Sequence, residues 1–365
     1  MTQDQTSPSA DRGDTRSMVD SVISAGKAAV QHVGKDQILA LIRNQPGIRG
    51  DVGISNIRGS GKVGASSGIV LFTASYDVGQ GRIERDLVLR HAPGSETRLF
   101  FEYDMVRQYR VQRAVQGSAA PVPEPLWLDP DGRWLGVQGF VMTTATGVAP
   151  HPSAFLQGPI AEATPEGRES MLQQIMRAQV AIHRTDLEAK GLTDFAMNAS
   201  GANPMQRAVN WYWKTWEFAS LPQHARLVPC RQWLLDHAPG DAPELMHGDC
   251  TLHNYLFDGT RLTAVLDWEM SALGRAECDL ALQCVGNQLF AAPAGSGMPQ
   301  PPSEAEWLAR YRDAGGREVK DFEYYKKFAA YMIIVAISAL QRNMAEAERQ
   351  AQEPLLRPCW ARLED

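Results

Sequence analysis

Two aspartates and an asparagine, Asp249, Asn254 and Asp267, stand inside the stretch 245–280, LMHGDCTLHNYLFDGTRLTAVLDWEMSALGRAECDL. Carboxylates and a carboxamide are hard oxygen ligands, the kind Mg²⁺ prefers. Their order also suits phosphoryl transfer, in which one Asp accepts the proton of an attacking hydroxyl while an Asn and a second Asp hold the metal. The residues between them can bring them together. Residues 255–257 are a short apolar strand, Asp258-Gly259 is a hairpin signal, and residues 262–266 return as a second strand. Such a hairpin delivers Asp267 to the end from which Asp249 and Asn254 depart.

The order His-x-Asp, Asn, Asp is that of the protein-kinase catalytic loop and metal-binding Asp, worded here as His247-Gly248-Asp249, Asn254 and Asp267-Trp268-Glu269. That wording resembles the aminoglycoside phosphotransferase (choline kinase-like) family of small-molecule kinases. Within it the sequence resembles the large bacterial branch of candidate aminoglycoside phosphotransferases, a branch related to the kinase-like domain fused to some acyl-CoA dehydrogenases. The resemblance runs from about Val52 to the C-terminus. It implies an α+β, bilobal protein kinase-like fold, with an N-terminal lobe of antiparallel sheet and one helix and a mostly helical C-terminal lobe. It implies ATP and Mg²⁺ as cofactors, Asp249 as the catalytic base, Asn254 and Asp267 as metal ligands, and Asp279 as a brace for the catalytic loop.

Other elements must position the nucleotide. Residues 52–76 read as strand, turn and strand, with Gly59, Gly61, Gly64, Gly68, Ser60, Ser66 and Ser67 in the turn. Backbone N–H groups of such a turn can lie over phosphates, which makes Ser66 and Ser67 nucleotide-binding candidates. Residues 83–90 (IERDLVLR) form a strand ending in Arg90. The kinase template has a Lys there, paired with phosphates and with a Glu on the next helix. By the resemblance Arg90 takes this slot, and its planar fork favours bidentate phosphate contact. Residues 99–115 show helical spacing at Leu99, Tyr103 and Val106. Gln108 stands where family segments carry Glu, so either Asp104, one turn earlier on the same face, or Gln108 would partner Arg90. Residues 126–128 and 134–137 read as short strands about the turn 129–132. Residues 140–146 read as an edge strand and hinge, where backbone groups from Met142 to Thr144 would meet the adenine edge.

Beyond the hinge the pattern is helical: 169–183, 209–219, 230–237, 277–290, 304–314 and 321–348. His183 lies on an apolar face and reads as a satisfied core histidine. Trp211, Trp213 and Trp216 cannot share one helical face, so they divide between core and cleft wall. Residues 291–302 read as a Pro/Gly excursion that could cover the substrate site. The Trp-rich segment and the run Tyr324-Tyr325-Lys326-Lys327-Phe328 suggest an acceptor that is not strongly cationic.

The domain plan is a mobile tail (1–34), a nucleotide-binding lobe (35–146) and a catalytic and substrate-binding lobe (147–365). With 36 Lys and Arg against 42 Asp and Glu, the formal net charge is −6, so no global basic surface recommends nucleic acid. The five cysteines show no metal spacing and read as reduced thiols in a cytoplasmic protein. No apolar run reaches membrane-spanning length. The expected partner is a hydroxylated small molecule, with the oligomeric state open. Two further classes stay open. A nucleotide-binding pseudokinase is favoured by Gln108. A phosphohydrolase would use His247, Asp249, His253 and Asp267 as metal ligands.

Overall fold

A computed structural model describes residues 33–364 except 60–66, 95–97, 222–224, 241, 293–294 and 343. The expected tail therefore falls almost wholly outside the described residues, as do Ser66 and most of the Gly/Ser turn.

The chain enters through α1 (Lys35–Arg43), which buries Ile38, Leu41 and Ile42 against a five-stranded antiparallel sheet. The strands are β1 (Arg49–Gly59), β2 (Gly68–Asp77), β3 (Arg82–His91), then, after helix α2 (Met105–Val115), β4 (Pro125–Asp129) and β5 (Gly139–Thr143). Their spatial order is β1-β2-β3-β5-β4. β1 to β3 form a meander, as the alternation of Val, Ile and Leu with polar residues predicts. Phe72, Ala74, Leu87, Leu89 and Val141 make the buried face.

Three expectations are corrected here. β5 is not an edge strand: it pairs with β3 on one side and β4 on the other, because β4 folds back along its outer flank. Residues 134–137 form no strand. The buried Asp129 carboxylate accepts the amides of Arg133, Trp134 and Leu135 at 2.8 Å each and winds them into a turn. The helix expected from Leu99 begins only at Met105. Leu99 and Phe100 donate their amides to the Tyr103 hydroxyl at 3.1 and 3.2 Å, and Asp104 caps the helix by accepting from Arg107 N at 3.0 Å.

The remainder is mostly helical: a single turn at Pro159–Glu162, α3 (Pro165–His183), α4 (Pro204–Phe218), α5 (Leu227–Asp236), α6 (Ala276–Leu289), α7 (Glu304–Asp313), α8 (Phe322–Gln341) and α9 (Glu346–Glu364). Between α5 and α6 lie two small antiparallel pairs. One joins β6 (Glu244–Met246) to β9 (Ala272–Gly274), the other β7 (Tyr255–Asp258) to β8 (Arg261–Val265). The single helix expected over 321–348 is two. Glu348 reaches back to the Ala345 amide at 2.9 Å and starts α9 afresh, and α9 then continues through Pro354 and Pro358. Among the described residues no helix is long and apolar enough to cross a membrane.

The largest apolar cluster joins α4, α6 and α8. It takes in Trp211, Trp216, Tyr324, Tyr325 and Phe328, while Trp213 lies half-buried beneath the Arg231 guanidinium. Lys326 pairs with Glu304 and Glu323, and Lys327 sits over the Trp233 ring at 4.5 Å. Most of the aromatic and basic residues assigned to an acceptor wall are thus core or surface pairs, and the expectation about acceptor charge loses that footing.

Candidate active site

His247-Gly248-Asp249 leaves β6, whose Leu245 and Met246 pair with Leu273 and Ala272 of β9. Gly248 has φ +84°, and a Cβ there would overlap the Met270 carbonyl. No L side chain fits that turn. Gly248→Ala is expected to cost roughly 2–4 kcal/mol, combining left-handed strain with overpacking, as chemical denaturation would measure.

Beneath the turn lies Asp279, in the first turn of α6 and fully buried. Its carboxylate accepts the amides of His247 (2.8 Å) and Gly248 (2.9 Å) and the Nε2 of His183 (2.9 Å). Burial alone would raise this carboxyl. The His183 ring and the donated N–H groups outweigh it and hold Asp279 below the usual carboxylate range. His183 also meets the Tyr311 hydroxyl through Nδ1 at 3.0 Å, the satisfied core histidine its apolar face implied. The His247 ring is fully engaged: Nδ1 accepts from Asp249 N at 3.3 Å and Nε2 donates to Leu266 O at 2.9 Å. That network places a proton on Nε2 and leaves neither nitrogen for a metal. Among the described residues no three His, Cys, Asp or Glu side chains are grouped to hold a metal ion.

Asp249 and Asn254 are bonded to each other. Asn254 Nδ2 donates to Asp249 O at 2.8 Å and reaches Thr251 Oγ1 at 3.4 Å. These bonds fix the amide so that Oδ1 is its other prong. Thr251 Oγ1 donates to Asp249 Oδ1 at 2.7 Å. Leu266 N donates to Asn254 O at 2.8 Å, so the end of β8 is stitched beside Asn254 just before Asp267. Asp267 is left-handed, φ 62° and ψ 64°, a strained conformation of the kind found at functional sites. Tyr212, from α4, is buried within electrostatic reach of Asp249: burial and the Asp249 carboxylate both push its phenol up.

Arg90 reaches the same place from the sheet. Its Nη2 lies 2.6 Å from Asp267 Oδ1 and 3.1 Å from Glu269 Oε2. Burial favours the neutral carboxyl, but Arg90 wins and holds Asp267 below the usual carboxylate range. Neither Asp104 nor Gln108 is the partner of Arg90. Asp104 caps α2, and Gln108 is buried with its Oε1 unpaired. α2 is instead fixed to the other lobe by Arg107, which donates to the carbonyls of Ala196, Phe195 and Ser271 at 3.1–3.2 Å.

The nucleotide candidates divide. Ser67 is buried with its hydroxyl unpaired, and Arg90 Nε is also buried without a partner. They are near each other, since Gly68 pairs with His91 and Ile69 with Arg90 across β2 and β3. An orphaned hydroxyl and a guanidinium with one N–H unpaired fit an anion with several oxygens, such as a nucleotide's phosphates. Ser66 lies outside the described residues. Met142 is buried in the sheet interior, opposite Val88 and Pro125. Exposed Thr144 directs its amide and hydroxyl at Asp86 O, at 3.4 and 3.2 Å. An adenine edge would have to share those groups.

Sequence reasoning assigned no role to Glu269, Thr251 or Arg107. Glu269 had a signal, its place two residues after Asp267; Thr251 and Arg107 had none that residue type reveals. A surface cavity of about 270 Å³ between α3 and α7, lined among others by Arg168, Glu169, Pro302 and Arg310, shares no residue with this constellation.

A family model described as the phosphotransferase enzyme family, APH, matches residues 72–331. Over 209 residues the chain is 30% identical to acyl-CoA dehydrogenase family member 10 of Mus musculus, which covers 56% of this chain and only 19% of that protein. Its fold is similar to a protein of Ralstonia eutropha JMP134 named as a candidate aminoglycoside phosphotransferase, with TM-score 0.66, 22% identity and coverage of 91% of this chain and 99% of that one. It is also similar to a thermostable mutant of aminoglycoside phosphotransferase APH(4)-Ia in ternary complex with AMP-PNP and hygromycin B, with TM-score 0.53, 16% identity and coverage of 90% and 98%. These likenesses carry the bilobal kinase-like fold. The family match takes in Arg90, His247-Gly248-Asp249, Asn254 and the whole hairpin to Asp267, and the chain belongs to the phosphotransferase enzyme family.

Proposed function

We propose that this protein is an ATP-dependent kinase that transfers the terminal phosphoryl group to a hydroxyl of a small molecule. The observation that carries this reading is the Arg90–Asp267 contact: residues 177 apart in the chain bring the sheet and the catalytic hairpin to one point. Asp249 would accept the acceptor hydroxyl's proton. Arg90, with Ser67, would pair with phosphate oxygens, and Ser66, Met142 and Thr144 remain candidate nucleotide contacts. Asn254 Oδ1 and the Asp267 carboxylate would hold Mg²⁺, which supplies charge neutralisation on the phosphates. AMP-PNP in the APH(4)-Ia complex supports a nucleotide substrate.

The pseudokinase reading loses its support, because Arg90 takes its carboxylates from Asp267 and Glu269 rather than from position 108. The phosphohydrolase reading needs His247 as a ligand, and its ring is committed to protein bonds. The two can be separated by variants: Asn254→Ala is expected to raise the Mg²⁺ requirement about 10- to 100-fold, with His253→Ala within about threefold of wild type. The reverse order would favour the hydrolase.

The acceptor is a hydroxylated small molecule. Hygromycin B in the APH(4)-Ia complex and the acyl-CoA dehydrogenase name of the mouse relative set the breadth of the search. The test is ADP formation from MgATP across aminoglycosides, macrolides and hydroxyacyl-CoAs, each against Asp249→Ala. No acceptor-dependent ADP above that control in any class would overturn the proposal. A cytoplasmic location belongs to the same reading, and the five cysteines, all free and buried, fit a reducing compartment.

A further inference from the structure

We propose that Thr251 is a positioning residue for phosphoryl transfer: its hydroxyl locks the Asp249 carboxylate so that Oδ2 is the oxygen that faces the acceptor. The inference rests on the kinase reading above.

Thr251 stands at the N-cap of a 3₁₀ turn, Leu252–Asn254. A threonine there ordinarily turns its oxygen toward the turn's own free amides. This one makes no capping bond. Its hydroxyl turns back instead and donates to Asp249 Oδ1 at 2.7 Å, the length of a charge-assisted bond. With its proton committed, Thr251 Oγ1 can only accept from its other neighbours, Asn254 Nδ2 at 3.4 Å and His253 Nε2 at 3.3 Å. One hydroxyl therefore ties the candidate base to the candidate metal-binding amide.

The Asp249 main chain is already held, its N–H by His247 Nδ1 and its carbonyl by Asn254 Nδ2. What remains to be set is the side-chain torsion. Among the described residues Thr251 is the one side chain that donates to this carboxylate. Without that bond the carboxylate samples its rotation freely, and a half-buried base spends less time with a lone pair aimed at the acceptor. Misplacement of a reacting group by about 1 Å can cost on the order of 100-fold in rate without weakening ground-state binding.

The experiment compares wild type, Thr251→Val, Thr251→Ser and an Asp249→Ala control in the full-length chain. The readouts are ADP formation from MgATP with water and with the aminoglycoside, macrolide and hydroxyacyl-CoA acceptors, Mg·AMP-PNP affinity by calorimetry, and the thermal midpoint. Valine keeps the branched shape and removes the hydroxyl; serine keeps the hydroxyl. The expected result is a loss of about 10- to 100-fold in kcat for Thr251→Val, affinity within about twofold, and recovery to within about threefold of wild type for Thr251→Ser. The inference is overturned if Thr251→Val turns over at the wild-type rate, if its rate falls only in step with affinity or thermal midpoint, or if serine does not rescue. Those outcomes leave the kinase reading standing so long as wild type exceeds the Asp249→Ala control. A wild-type rate no higher than that control with water and with every acceptor class removes both.

Discussion

Asp249→Asn is expected to lower kcat by about 10²- to 10⁴-fold, the range of a lost general base, with MgATP affinity within about twofold of wild type. The substitution is close to isosteric. The amide oxygen can still accept from the Thr251 hydroxyl that now bonds Oδ1 at 2.7 Å. The main-chain bonds to His247 Nδ1 and Asn254 Nδ2 do not involve the changed atoms. The turn should therefore keep its shape, and Arg90, Asn254 and Asp267 their places. What disappears is the basic oxygen. In its position stands an NH₂ that can only donate, facing a hydroxyl that must lose a proton. A direct loss of transition-state stabilisation lowers kcat and kcat/KM together. Initial rates against MgATP concentration, with calorimetric titration of Mg·AMP-PNP, separate the two effects. Full turnover by Asp249→Asn would remove Asp249 from the chemistry, and loss of binding in proportion to rate would make it a binding residue.

The β7–β8 hairpin was legible because its signals are local. Asp258-Gly259 dictates a tight turn, the flanking apolar residues dictate strands, and together they set where Asp249, Asn254 and Asp267 emerge. Arg90 was legible through the resemblance, which places a basic residue near the end of the strand that became β3. Its partner was not. Chain order points to the next helix, to Asp104 or Gln108, whereas the carboxylates come from Asp267 and Glu269, far along the chain. Nothing in a strand's own pattern names a partner on another lobe. The interior place of β5 escaped for a related reason: alternation marks a strand but not its neighbours. The late start of α2 and the turn at 133–135 were set by single side chains, Tyr103 and Asp129, that captured backbone amides. Such competition between side chain and backbone overrides periodicity. The tryptophans of α4 wrap more than one face, a spacing that suits core and cleft wall alike. The structure buries Trp211 and Trp216 because α4 packs on α8 while loop residues Phe100 and Phe101 cover Trp211.

The largest expected effect on stability is at Asp279. Asp279→Asn should destabilise the fold by roughly 3–5 kcal/mol at pH 7, the cost of breaking a buried, fully hydrogen-bonded charge. Both carboxylate oxygens face donors: Gly248 N at one, His247 N and His183 Nε2 at the other. Whichever way the asparagine amide turns, its NH₂ meets an N–H in a site without water access, so one amide is left unsatisfied. The damage would spread, since His183 also carries the Tyr311 hydroxyl of α7 and the two amides define the turn that presents Asp249. The pH dependence gives the prediction a second axis. Burial raises the Asp279 carboxyl, but His183 and the donated amides lower it further, so its folded value lies below the unfolded one. A carboxyl of that kind contributes its full stabilisation above the unfolded pKa, about 4, and loses it as pH falls through the folded value. Asparagine cannot titrate. Carboxylates common to both chains cancel in the difference, so the gap between wild type and Asp279→Asn should be largest near neutrality and shrink below about pH 4. Urea denaturation of both chains from pH 7 to pH 3 measures it. A gap under about 1 kcal/mol at pH 7, or one that stays constant into acid, would mean that Asp279 is not the charged brace of the catalytic turn.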